Sequence, residues 1–248
     1  MSRSATAISP WYAVAAMTAF GAVALLVGVV FGAITYTLVG GPLSIAPDGA
    51  AGQVLTNVGT YAAVGAMGVV YLFRYDLPLS YVRYRRPDVR DLAAVVVTIL
   101  VLLALAVAIP WVVDRLGLPI VEHSIAGTIE GDPSIALAFL PVSILVVGPA
   151  EEFIYRGIVQ TRLRERFEAG SAVGIAAVIF ASVHFLAYLD PTNVPGTVVT
   201  IAFVLLPLGA VLGAVYERTE NLIVPALAHG FYNAITFGLT YAEVVGLF

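Results

Sequence analysis

Seven stretches of this chain, residues 11–38, 54–73, 92–113, 135–161, 171–189, 196–216 and 222–242, are long and apolar enough to cross a bilayer, whose hydrocarbon core takes about 20 helical residues. Backbone inside lipid must satisfy its own hydrogen bonds, so the pattern predicts an all-α, polytopic membrane helix bundle of about seven transmembrane helices. Composition agrees, since 60% of the 248 residues are hydrophobic and 11% charged, more apolar surface than a soluble domain of this size could bury. The absence of cysteine rules out disulfides, thiolate metal sites and cysteine catalysis. The first run continues for about 28 residues with no small-residue cleavage site, which predicts a retained span rather than a signal peptide. With no repeat or long linker, residues 1–248 read as one integral membrane domain.

Charge orients the bundle. All 12 basic residues are arginine. Arg3, Arg74, Arg83, Arg85, Arg86, Arg90, Arg162, Arg164, Arg166 and Arg218 fall on one side, while Asp48, Glu122, Glu130, Asp132, Asp190 and Glu243 lie on the other with Arg115 alone. The positive-inside rule places the N-terminus in the cytoplasm and, after seven crossings, the C-terminus outside, with the cell membrane as the expected location. Residues 77–90, with Tyr81, Tyr84 and several arginines, suit either a segment lying against anionic headgroups or a plain loop.

A charge in mid-membrane costs from roughly 3 kcal/mol upward, so the few present demand a reason. They are Glu151, Glu152 and Arg156 in the fourth run, His184 in the fifth and His229 in the seventh; none falls within the first three runs. Residues four apart share a helix face, so Glu152 can pair with Arg156 while Glu151 points about 100° away. The spacing therefore predicts one anchored carboxylate beside a free one, the arrangement a general base requires. His229 and Asn233 are again four apart and form a donor-rich patch suited to an oxyanion or a water.

At about 1.5 Å per residue, Glu151 lies about 16 Å above Arg162, His184 about 20 Å above Ser171 and His229 about 10 Å above Leu222. One shared layer in the cytoplasmic half is thus within reach, and the site is expected to face that side. Against a proton-coupled carrier stands the concentration of these charges after Ala150 rather than in two symmetric halves; a non-catalytic scaffold would keep its function without Glu151 and His184. Blander readings serve His123 as a solvated loop residue, Glu217, Arg218 and Glu220 as a helix end, and Trp11 and Trp111 as interfacial anchors.

Glu-Glu-Phe-Ile-Tyr-Arg at 151–156, Phe-Ala-Ser-Val-His at 180–184 and His-Gly-Phe-Tyr-Asn at 229–233 resemble, in order, the three motifs of the CPBP intramembrane proteases. That family groups type II CAAX prenyl endopeptidases with bacteriocin-processing and immunity proteins, the Abi group. The resemblance covers residues 135–241 and implies a catalytic core there, with Glu151, Glu152, His184, His229 and Asn233 forming the site and Arg156 supporting Glu152. It implies an intramembrane endopeptidase whose partners are membrane lipid and a protein or peptide substrate, prenylated in the CAAX reading, with no nucleic acid. Two chemistries are open. In one, Glu151 assisted by His184 activates a water while His229 and Asn233 hold the oxyanion; in the other, His184, His229 and Glu151 ligate zinc. No His-Glu-x-x-His motif is present to favour the second.

Overall fold

The computed structural model describes residues 9–247; Arg3 lies outside them. Among the described residues the fold is helical throughout, without strands. The long helices are α1 (Pro10–Gly40), α2 (Ala50–Arg74), α3 (Val89–Arg115), α4 (Ser134–Arg164), α5 (Ala169–Tyr188), α6 (Val194–Thr219) and α7 (Ile223–Val244). The first six are apolar enough to span a membrane; α7 has the length, but His229, Asn233, Thr236 and Thr240 lower its hydropathy. The expectation of about seven spans therefore matches the helices, with the most polar of them carrying a motif.

Large apolar side chains such as Leu26 and Val29 on α1, Val97, Leu100 and Val107 on α3, and Leu145 on α4 are exposed. A surface of this kind is stable only against lipid. The core gathers instead around α4, the most buried of the six spans. Its fully buried face carries Glu152, Arg156 and Gln160 beside Ile154 and Ile158. This is an inverted amphipathic helix, polar towards the bundle and apolar towards the lipid.

Prolines shape the helices as the sequence suggests. The π-helical segments Ser143–Val147 and Ile201–Leu205 each end two residues before a proline, Pro149 and Pro207. Proline offers no N–H to the carbonyl four residues back, and a wider turn lets that carbonyl take the next donor. Glycines permit backbone contact elsewhere. A Cβ on Gly148 would lie 2.8 Å from both the Ala226 carbonyl oxygen and the Gly230 nitrogen, and one on Gly230 would lie 2.7 Å from Ile144 Cα. Helices α4 and α7 thus touch backbone to backbone at the level of the motifs.

The arginine-rich end is tied together rather than loose. Residues 77–90, though mostly exposed, are anchored to the bundle: Val82 is buried in contact distance of Gly157, and the Arg83 carbonyl accepts from Leu222 N at 2.9 Å. Arg85 forks onto Asp91 at 2.6 and 2.9 Å, and Asn221 donates to the same carboxylate at 3.2 Å. Asp91 also closes a capping box with Asp88 at the start of α3, which satisfies the helix's first free N–H groups. Asp91 is only 2% exposed. Buried charge is therefore not confined to the chain after Ala150; Asp91 borders the third apolar run rather than interrupting it. Glu217 likewise does more than end a helix, since it receives Arg164 at 2.7 Å and Arg83 at 3.4 Å. His123 is exposed, with its ring edge-on to Tyr188, and Trp11 and Trp111 are exposed at helix ends.

Candidate active site

One oxygen of Glu152 carries all of its contacts. Its Oε1 accepts from Arg156 Nη1 at 2.8 Å and from His229 Nδ1 at 2.8 Å, and Arg156 also donates to the Gly209 carbonyl of α6 at 2.9 Å. The helical i, i+4 spacing supplies the first contact; the Gly148–Gly230 approach supplies the second by bringing α7 against α4. The Arg156 guanidinium stacks 4.6 Å from the Phe180 ring centroid, so the cation has a carboxylate, a carbonyl and an aromatic face around it. That is how a charge 1% exposed is tolerated. The other oxygen of Glu152, Oε2, is buried with no partner among the described residues.

Glu151, 4% exposed, has a different environment. His184 Nε2 lies 3.4 Å from its Oε1 and His229 Nε2 3.8 Å from its Oε2. Both imidazoles thus meet the acids at hydrogen-bonding or one-water distance, and residues from α4, α5 and α7 converge as their depths along the helices predict. Glu151 is not free, however. Its Oε1 accepts from the Tyr61 hydroxyl of α2 at 3.0 Å, a contact no motif in the sequence announces.

The partners constrain the proton positions. His184 Nδ1 lies 2.7 Å from the Phe180 carbonyl oxygen, which can only accept, so Nδ1 carries a hydrogen. Nε2 then faces a carboxylate oxygen, and the approach is attractive only with a proton between them. In His229 the Nδ1–H donates to the ionised Glu152, which leaves Nε2 as an acceptor in the neutral ring. In that tautomer the ring's single N–H is spent on Glu152. Asn233 is half-buried on the same helix, and among the described residues no protein hydrogen bond engages its side-chain amide.

Phe180 holds the histidines in place. Its carbonyl orients His184, its ring lies 4.5 Å from that imidazole and 6.2 Å from the imidazole of His229, and Tyr155 meets it edge-on at 5.2 Å. Helix α5 changes from α to 3₁₀ geometry at His184.

Imidazole nitrogens and carboxylate oxygens are donors zinc accepts, and His184, His229 and Glu151 are those the sequence offers. Among the described residues, no group of three or more His, Cys, Asp or Glu side chains is placed to hold a metal ion. The imidazole of His184 is turned directly onto Glu151.

Residues 133–235 match the family model described as type II CAAX prenyl endopeptidase Rce1-like. A protein of Bacillus subtilis (strain 168), described as uncharacterized protein YpbD, is 34% identical over 91 residues, which make up 37% of this chain and 40% of that protein. The chain thus spans about two fifths of the curated relative it matches. No solved structure matches it. The matched residues include Glu151, Glu152, Arg156, His184, His229 and Asn233.

Proposed function

We propose that the protein is an intramembrane endopeptidase that hydrolyses a peptide bond by water activated at Glu151. The observation that carries the reading is the unequal use of two adjacent carboxylates. Glu152 is spent on Arg156 and His229 at 2.8 Å each, whereas Glu151 stands between two imidazole Nε2 atoms at 3.4 and 3.8 Å. A water about 2.8 Å from both Glu151 Oε2 and His229 Nε2 spans the wider of those gaps. Both atoms accept, so that water donates both hydrogens and turns its lone pairs towards an incoming carbonyl carbon.

Glu151 takes one proton as the C–O bond forms. The Asn233 amide, whose N–H groups have no protein partner among the described residues, donates to the oxyanion; such a donor contributes about 100- to 1,000-fold in well-characterised hydrolases. As the C–N bond breaks, the proton held by Glu151 passes to the leaving amine and the carboxylate is restored. Glu152 and Arg156 keep the His229 ring in the tautomer that accepts, and His184 steadies Oε1. The chemistry runs on the protein's own side chains and water, with residues 135–241 as the catalytic core.

The family likeness favours a substrate whose cleaved end lies at the membrane, prenylated in the CAAX manner. The arginine-rich ends of the helices favour a site facing the cytoplasm across the cell membrane. The test is a comparison of protein C-termini in membranes holding the native protein or Glu151→Gln, a near-isosteric change. At least one C-terminus should be shortened only by the native protein. Identical C-termini in both membranes would overturn the reading, as would the same shortening by Glu151→Gln.

A further inference from the structure

Tyr61 lies on α2, well outside the family match at 133–235, yet its hydroxyl donates to Glu151 Oε1 at 3.0 Å across ninety positions of sequence. The helix that carries it is held in register from both sides. On one side α1 packs through Gly28 and Gly32. A Cβ on Gly28 would lie 2.7 Å from Val64 Cγ2 and 2.9 Å from the Thr60 carbonyl, and one on Gly32 would run into the Thr60 hydroxyl. On the other side α4 packs through Phe153, whose ring would sit 2.8 Å at Cδ1 from a Cβ on Gly68. Gly68 is seven residues after Tyr61 and Phe153 two after Glu151, so a contact two turns away fixes the height at which the phenol meets the acid.

We infer that Tyr61 is a positioning residue for Glu151. Its hydroxyl pins Oε1, on the same side as His184, and so turns Oε2 towards His229, where the reading above places the water. A donor bound to an ionised acceptor is strong enough to choose between carboxylate rotamers. Among the described residues that hydroxyl has no other protein partner. The first two spans, which carry no motif, thereby complete the site. The inference rests on Glu151 as the base, and the experiment separates the two claims.

Protein labelled with ¹³C at the tyrosine ring Cζ is purified in lipid nanodiscs, and the Tyr61 resonance is identified by its loss in Tyr61→Phe. Glu151→Gln should shift that resonance, while Glu243→Gln, near the far end of α7, should not. An unmoved Tyr61 resonance in Glu151→Gln overturns the inference whatever the activity. With the substrate found from the C-terminal comparison, Tyr61→Phe should lower kcat about tenfold or more with KM within about twofold. A native kcat in Tyr61→Phe also overturns it. Full activity of Glu151→Gln would instead sink the water-activation reading, with the resonance still reporting on the contact.

Discussion

Adding one methyl group at Gly230 should cripple the site without touching any of its side chains. A Cβ there would stand 2.7 Å from Ile144 Cα and 2.8 Å from the Ser143 carbonyl oxygen, where ordinary contact begins at 3.4 Å. Both neighbours are backbone of α4 and cannot rotate away. Helices α4 and α7 must therefore separate by about 0.7 Å, the difference of those distances. His229 immediately precedes Gly230 in α7, and its 2.8 Å bond to Glu152 would lengthen to about 3.5 Å, beyond a useful hydrogen bond. The His229 ring would lose its orientation beside Glu151, and misplacements near 1 Å cost about 100-fold in rate. Gly230→Ala should accordingly lower kcat about ten- to hundredfold while destabilising the fold by about 1–3 kcal/mol, the usual range for overpacking. The assay is cleavage of the substrate identified in membranes, with thermal unfolding of the purified protein in parallel. Gly238, on the same helix with nothing within 4 Å of its Cβ position, is the control and should accept alanine with native activity. Native kcat in Gly230→Ala, or an equal loss in Gly238→Ala, would refute the argument that backbone contact sets the site.

Removing the cation beneath Glu152 leaves a fully buried carboxylate without its charge partner, so Arg156→Met should cost about 3–5 kcal/mol of stability; a melting temperature within a degree of native would contradict the pairing at 2.8 Å. If water is activated at Glu151 without a metal, protein stripped with a strong chelator should retain its cleavage activity; loss of activity that zinc alone restores would establish a metal enzyme instead.

The motifs were legible because intramembrane charge is rare and helical spacing is rigid. Glu152 and Arg156 had to share a face, and they do; His184 and His229 had to lie at similar depth to Glu151, and they lie within 4 Å of it. Other features left little trace. Tyr61 is one of 12 tyrosines, unremarkable in a membrane helix until a neighbour at position 151 gives its hydroxyl a partner. Asp91 borders an apolar run, where a charge is ordinarily wet, and only Arg85 and Asn221 folding over it show that it is buried. His229 is a similar case: spacing shows that it shares a face with Asn233, but only the fold shows which acid touches Nδ1.

The sequence by itself determined that the chain lies in lipid, how many helices it forms and which ionisable groups they carry, because hydrophobic length and residue spacing act locally along one helix. Which carboxylate is anchored by a histidine, which oxygen of Glu151 faces Tyr61 and which faces His229, and how closely α4 meets α7 were decided only by tertiary structure. Those choices depend on glycine contacts and helix registers between segments far apart in the chain, and a change of less than 1 Å in any of them alters the hydrogen bonds that give the acids different work.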